Sequence, residues 1–190
     1  MGTDIYIYVE KRVNDAWLCA SPKQKNPCFG DDDEPEYDLE GIEVGRNRAL
    51  YQVLTGRGGK VYDDIQTAVP PRGLPVDVSA QVLAVAERSG DSGFTHSWLT
   101  LRELLDYSAR GYTTKVGTYC PPQIAEQYRA TGRLPDDFDP GDYDTPNGTW
   151  ETVAERDEPL GDAIGLKDLI EQLSPVGEPE AVRIVFWLDG

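Results

Sequence analysis

The feature that most constrains the fold is the alternating segment at residues 4–12. Ile5, Ile7 and Val9 alternate with polar residues, which is the two-residue period of a β-strand with one apolar face. The chain closes on a second strand-like segment, residues 181–188, which is apolar enough to be central in a sheet. We therefore expect the closing strand to pair with residues 4–12, so that the two ends of the chain complete one core.

Between these ends the sequence alternates strand and helix signals. Asn14-Asp15 predicts a turn into a second strand at residues 16–20, and hence a β-hairpin. Further strands are expected at 112–119 and 149–154, and helices at 45–55, 77–89, 100–109, 121–130 and 166–173. This order predicts an α+β fold, with a mainly antiparallel sheet whose N- and C-terminal strands are adjacent, helices inserted between strands, and two acidic loops. The length fits a single domain, residues 1–190.

The net charge of −16 is concentrated in two predicted acidic loops, residues 21–43 and 132–148. Their densest parts are the acidic runs at 31–40 and 136–144, and the remainder of the chain is only mildly acidic. This distribution argues against nucleic-acid binding, which requires a basic surface. The first loop is expected to be structureless and either functional or mobile.

The sequence gives no sign of a targeting or membrane-spanning segment. No run approaches the roughly eighteen apolar residues of a membrane span, and the first residues lack the pattern of a signal peptide. The three cysteines and the single histidine match no metal-ligand spacing, so neither a metal nor a cofactor is expected. Unpaired cysteines favour a reducing cytoplasm.

The best candidate for a ligand site is the segment around the only histidine. Thr100 and Glu103 have the spacing of a capping box, and a leucine stripe follows, which predicts a helix N-terminus. His96, Ser97 and Trp98 stand directly before that helix, where exposed N–H groups favour anions. The alternative is a core strand whose histidine is merely hydrogen-bonded.

A second candidate segment lies at the start of the first predicted helix. Arg46 and Asn47 open this helix, where a cation opposes the helix dipole unless an anion lies opposite. The compensating anion could be internal, supplied by Asp4, Glu10 or Glu43. It could instead be the phosphate of a ligand.

The remaining candidates are one arginine and two tyrosines. Arg72 lies beside prolines that restrict the backbone and orient its side chain, an arrangement suited to bidentate binding of phosphate or carboxylate. The alternative is a turn with a solvated arginine. Tyr6 and Tyr8, on the polar side of the first strand, could stack against a base, or they could simply pack across strands.

Four short motifs occur in order over about residues 1–105. They are the opening Met-Gly-Thr-Asp-Ile-Tyr, the Gly-Arg-Asn at 45–47, the Pro-Arg-Gly-Leu-Pro at 71–75 and the His-Ser-Trp-Leu-Thr-Leu at 96–101. In these motifs the chain resembles a group of uncharacterised bacteriophage proteins that open Met-Gly-Cys-Asp-Ile-His. The resemblance implies a phage protein that acts in the host cytoplasm.

This chain departs from that group at three positions. Thr3 stands where the group has cysteine, and Tyr6 and Phe94 stand where it has histidine, so that His96 alone remains. The resemblance therefore implies neither a metal site built from several histidines nor two-histidine phosphodiester cleavage in this chain.

These features favour a phage-encoded protein that binds a small anionic ligand and sequesters it, the ligand being a nucleotide immune signal of the host. The predicted site consists of residues that would hold phosphates, stack a base or bind its polar edges: Tyr6, Tyr8, Arg46, Asn47, Arg72, His96, Ser97 and Trp98. One alternative is a phosphodiesterase-type enzyme that degrades such a signal, with His96 as general acid and base. A second is an acidic inhibitor that binds a host enzyme through the acidic loops. None of the three involves nucleic acid or a membrane.

Overall fold

The computed structural model describes residues 3–26, 29, 35–59, 62, 64–138 and 150–190. The chain forms two compact units, one from residues 1–110 and 164–190 and the other from residues 111–163. That the whole chain forms a single domain stays a prediction. Within the described ranges, no helix is both long enough and apolar enough to cross a bilayer.

The elements follow one another largely in the predicted order. The strands are β1 (Asp4–Val13), β2 (Ala16–Cys19), β3 (Lys23–Lys25), β4 (Tyr37–Leu39), β5 (Gly93–Thr100), β6 (Thr113–Cys120), β7 (Glu151–Pro159) and β8 (Val182–Asp189). The helices are α1 (Arg48–Thr55), α2 (Ala80–Ser89), α3 (Leu101–Ser108), α4 (Pro122–Thr131), α5 (Leu160–Ala163) and α6 (Leu166–Leu173). The predicted α+β fold, with helices between the strands of an antiparallel sheet, is confirmed.

The first unit is built on a four-stranded antiparallel sheet in the order β2-β1-β8-β5. β1 and β8 pair along most of their length, beginning with Asp4 opposite Asp189, so the predicted adjacency of the terminal strands is confirmed. A two-residue turn at Asn14 and Asp15, with φ of 49° and 65°, closes the β1–β2 hairpin. Asn and Asp tolerate this left-handed backbone better than other residues with a side chain.

The central part of the sheet is buried on both faces, which the alternation of β1 did not indicate. Ile7 and Val9 are buried on one face as predicted, but Tyr8 and Glu10 on the other face are buried as well. Helix α2 covers this second face, because its apolar side chains pack against Tyr8 and against Trp187 of β8. The expectation that β1 has a single core face is therefore wrong at its centre.

Capping signals in the sequence explain where two helices begin. Thr100 and Glu103 form a complete capping box at α3, in which Glu103 Oε2 accepts from Thr100 N at 2.8 Å. Asn47 caps α1, and Gly56 ends that helix in the left-handed conformation. Both helices contact β5, and α6 packs against α3. The predicted helix boundaries are thus confirmed within one to three residues.

The first acidic loop is more ordered than expected. β3 and β4 lie within it and pair antiparallel, so the prediction of a structureless segment at 21–43 is wrong there. The pairing is anchored by Leu39, which is buried in the same cluster as α2. The acidic residues 31–34 and most of the second acidic loop, 139–149, lie outside the described residues.

The second unit is built on the antiparallel pair of β6 and β7. β7 extends five residues beyond the predicted strand end at residue 154. Helix α4 packs Ile124 and Ala125 against Cys120 and Val153 of the two strands. This apolar cluster gives the second unit a small core of its own.

A buried ion pair joins the two terminal strands. Glu10 and Arg183 lie opposite each other, only 0% and 1% exposed, and Arg183 Nε donates to Glu10 Oε2 at 2.7 Å. The other oxygen, Glu10 Oε1, accepts from Ser79 N at 2.6 Å, where α2 begins. Helix starts carry N–H groups that lack partners within the helix. One carboxylate therefore joins two strands and a helix.

The variant Glu10→Ala should lower the free energy of unfolding by about 3 kcal/mol or more, because it leaves the buried charge of Arg183 without its closest partner. Urea denaturation followed by circular dichroism measures this loss. Asp4→Ala, which removes only an exposed ion pair with Arg46, is the matched control and should cost far less. Equal losses in the two variants would contradict the role given to Glu10.

Candidate functional site

A cleft of about 520 Å³ opens on the sheet face that α2 covers. Its lining combines three arginines, two tryptophans and two acids with the loop segment 74–76: Arg12, Trp17, Arg72, Asp77, Trp98, Glu180 and Arg183. This volume lies within the range of small-molecule sites, about 300–1,000 Å³. We call it the arginine–tryptophan cleft.

Arg183 is the most deeply buried charge in this cleft. Besides its bond to Glu10, its Nη1 donates to Asp77 Oδ1 at 2.7 Å and its Nη2 to the Asp77 carbonyl oxygen at 3.0 Å. Two carboxylates and a carbonyl thus compensate one guanidinium group. Arg183 is therefore fixed by the protein itself and is not free to move toward a ligand.

Two indole rings contact the arginines of the cleft. The Cζ atom of Arg183 lies 4.1 Å from the ring centroid of Trp17 and 5.5 Å from that of Trp98. The Cζ atom of Arg72 lies 3.5 Å from the Trp98 centroid. Such cation–π contacts contribute about 0.5–2 kcal/mol each, depending on solvation. Tryptophan and arginine side chains therefore alternate along the cleft, and each holds its neighbour in place.

Arg72 is oriented as predicted, but toward partners within the protein. Its Nη1 and Nη2 donate to the two oxygens of Glu103 at 3.1 and 2.8 Å, and Nε and Nη2 donate to the Trp98 carbonyl at 3.0 and 2.7 Å. The next residue, Gly73, donates its N–H to the His96 carbonyl at 3.0 Å. Burial alone would raise the pKa of Glu103, but the hydrogen bonds from Arg72 and the helix start outweigh it and hold that pKa below its usual value.

Arg12 differs from the other arginines of the cleft. It lies on β1 opposite Trp17, and its side chain is exposed. Among the residues that the structure describes, no carboxylate lies within ion-pair distance of its guanidinium group, whereas Arg72 and Arg183 both have such partners. Its exposed guanidinium group therefore has no ion-pair partner among the described residues and can donate to a ligand.

Three of the predicted site residues line a different groove, of about 450 Å³, beside residues 4–8 of β1. Arg46 Nε donates to Asp4 Oδ1 at 3.0 Å, so the anion opposite this arginine is internal. The remaining charged residues that line the groove are all acidic: Asp38, Glu40 and Glu43. This charge makes the groove unfavourable for an anionic ligand.

The two tyrosines of this groove pack across strands. The ring centroids of Tyr6 and Tyr8 lie 6.1 and 5.2 Å from that of Trp187. Tyr8 is only 3% exposed, whereas Tyr6 is 43% exposed. Burial raises the pKa of both hydroxyls, and the carboxylate of Asp38 raises both further. Only Tyr6 therefore presents a ring to solvent in this groove.

Asn47 and Ser97 make hydrogen bonds that support the fold. Asn47 Oδ1 accepts from Leu50 N at 3.1 Å, and its Nδ2 donates to the Ile164 carbonyl at 2.8 Å. Ser97 is 2% exposed, and its Oγ accepts from Arg72 N at 3.3 Å. Neither residue lines the arginine–tryptophan cleft or the groove beside residues 4–8 of β1.

His96 lies at an irregular part of β5, away from the lining of both cavities. The pairing of β5 with β8 shifts register here, and Thr95 has a φ of 55°. The imidazole stacks on Trp187 with the ring centroids 5.4 Å apart. Within the described part of the chain its Nε2 is buried without a hydrogen-bond partner, and burial lowers its pKa. The predicted site residues thus do not converge on this histidine.

Sequence reasoning missed Arg12, Trp17 and Arg183 as site residues. A signal for Arg183 was present, because it carries a charge in the middle of an otherwise apolar strand. A charge in that position requires a partner, and Glu10 was the acid on the strand expected beside it. For Arg12 and Trp17 no comparable signal exists, because charged and aromatic residues are common near hairpin turns.

No protein-family model, curated protein or solved structure matches this chain.

His96 should titrate below the ordinary histidine pKa of about 6.5, because its ring is partly buried and the buried Nε2 has no partner among the described residues. Nuclear magnetic resonance can follow this titration directly, since the chain has one histidine. Because the folded state favours the neutral ring, the stability from this group is present above the unfolded pKa and declines as the pH falls below it.

The variant His96→Gln should lack this part of the decline, and urea denaturation at several pH values compares the two proteins. A native pKa at or above 6.5, or an identical decline in the variant, would contradict the environment described for His96.

Proposed function

We propose that the protein binds a small anionic ligand with a flat ring, of the nucleotide class, in the arginine–tryptophan cleft. The observation that carries this proposal is Arg12, an exposed guanidinium group without a carboxylate partner among the described residues, opposite the indole of Trp17. A guanidinium group can donate two parallel hydrogen bonds to a phosphate or carboxylate. An indole offers a flat apolar surface to a base.

The walls of the cleft support the same class of ligand. Trp98 adds a second indole ring to the lining, and Arg72 and Arg183 contact the two rings. On the loop side, Val76 is fully exposed and Leu74 is half-buried. A ligand with an apolar ring would cover this surface and gain free energy from removing it from water.

The geometry favours binding over cleavage. A general acid or base must come within hydrogen-bonding distance of the reacting group, and the described lining of the cleft contains no histidine. Its two carboxylates are held by arginines, Asp77 by Arg183 and Glu180 by Arg102. No observation therefore favours the alternative of a phosphodiesterase that uses His96.

The resemblance to phage proteins supports a finer proposal for the biological role. A phage protein that binds a nucleotide without turnover would lower the free concentration of that nucleotide in the infected cell. We propose that the ligand is a nucleotide immune signal of the host, sequestered in the host cytoplasm. Sequestration requires that the ligand leaves the denatured protein chemically intact.

The test is a panel of adenine and guanine nucleotides, cyclic dinucleotides and ADP-ribose, screened by thermal shift and then by titration calorimetry. A ligand at a hundred times its Kd should stabilise the protein by about 2.7 kcal/mol. Arg12→Glu should weaken binding at least about tenfold, because it replaces the unpaired cation with a like charge. Arg57→Glu makes the same charge change on an exposed loop outside the cleft and should leave binding unchanged.

Two results would overturn the proposal. The first is that no member of the panel raises the melting temperature, and the second is that both variants lose affinity equally. Chromatography of the small molecules released by heat then separates the roles. Intact ligand supports sequestration, whereas a cleaved product supports the phosphodiesterase alternative.

A further inference from the structure

We infer that the arginine–tryptophan cleft selects nucleotides that carry a single negative charge and discriminates against polyphosphates. This inference rests on the proposed function, because it specifies the charge of the same ligand. It follows from how the charged side chains of the cleft are already paired.

The other two arginines of the cleft, Arg72 and Arg183, have their own carboxylates. Arg72 forms a bidentate ion pair with Glu103, and Arg183 is held by Glu10 and Asp77. The Arg183 side chain is only 2% exposed, so a ligand cannot reach it without moving other groups. Its charge is also outnumbered by its two carboxylate partners.

The acidic residue Glu180 in the lining also has a partner of opposite charge. Glu180 accepts from Arg102 Nε at 2.8 Å, and Arg12 remains without an acidic partner among the described residues. When the lining residues and their direct partners are considered together, four guanidinium groups face four carboxylates. Counted over the described residues, the cleft without ligand is therefore close to neutral, and Arg12 is its one cation without a carboxylate partner.

Arg183 is buried, so Arg72, whose side chain is 28% exposed, is the other lining arginine that a second phosphate group can reach. Four of its five N–H donors are already used, two by Glu103 and two by the Trp98 carbonyl. Displacing Glu103 would also open the capping box at the start of α3, because the same carboxylate accepts from Thr100 N. Among the described residues of this part of the cleft, a second negative charge therefore meets no cation without a carboxylate partner.

This pairing of charges favours phosphate groups that carry one negative charge. A phosphodiester, as in a cyclic nucleotide, carries one negative charge, which Arg12 can neutralise. A phosphomonoester carries nearly two at pH 7.5, since its second pKa is about 6, and di- and triphosphates carry more. Each added charge also lies near the carboxylates of Asp77 and Glu180, which repel it.

The test is a ligand series with one base and increasing charge: the phosphate methyl ester of AMP, AMP, ADP and ATP, with the guanine series in parallel. Titration calorimetry uses the full chain, with EDTA to remove metal ions and at low ionic strength, where screening is weak. We expect Kd to rise along the series, with ATP bound at least about tenfold more weakly than the methyl ester. Affinity that rises with charge would overturn the inference.

Glu103→Gln tests the origin of the selectivity. Glutamine keeps a carbonyl acceptor for the capping box but removes the charge that occupies Arg72. The ratio of AMP affinity to methyl ester affinity should therefore increase by about tenfold. Glu87→Gln removes the same charge at an exposed position of α2 outside the cleft and should leave the ratio unchanged.

The melting temperature of Glu103→Gln shows whether the helix start remains intact. An unchanged ratio in a folded variant would overturn the inference. The failures are also distinguishable, because absence of binding to every nucleotide tested would remove the proposed function itself. Binding that strengthens from the methyl ester to ATP would leave that function standing and remove only the charge selectivity.

Discussion

The structure depends on one buried ion pair. Arg183 and Glu10 are withdrawn from water at the centre of the first unit, and removing two charges from water costs several kcal/mol per ion unless each is fully hydrogen-bonded. The protein meets this condition by adding Asp77 and the N–H of Ser79 to the pair. As a result β1, β8, the loop before α2 and the start of α2 share one network, and the positions of all four are coupled.

The same network also positions aromatic side chains in the cleft. A cation that is fully engaged by the protein can shape a binding site without itself binding anything, and Arg183 does this by holding Trp17 within cation–π distance. Arg72 holds Trp98 in a similar manner. The cleft is therefore largely formed without a ligand, which would lower the entropic cost of the binding proposed above. Among the described lining residues, Arg12 is the one arginine that no carboxylate holds.

Sequence patterns were informative wherever a local signal decided the structure. The alternation around Ile7 predicted β1, and the Thr100–Glu103 spacing predicted the start of α3. The sequence could not predict which of the candidate side chains line the same cavity, because that depends on which residues the sheet register brings together. Tyr6 and Arg72 both belong to segments with suitable chemistry, yet they line separate cavities. Arg183 was not predicted as a site residue, because the apolar residues around it in β8 indicated only a buried core strand.

The loop around Arg72 has a consequence for the solution behaviour of the protein. β5 is an edge strand, and unpaired carbonyls along such an edge can template the addition of a strand from another molecule. The N–H of Gly73 and the guanidinium of Arg72 occupy the carbonyls of His96 and Trp98, so this part of the edge is blocked. Substitution of Arg72 would therefore free the Trp98 carbonyl on this edge as well as alter the cleft.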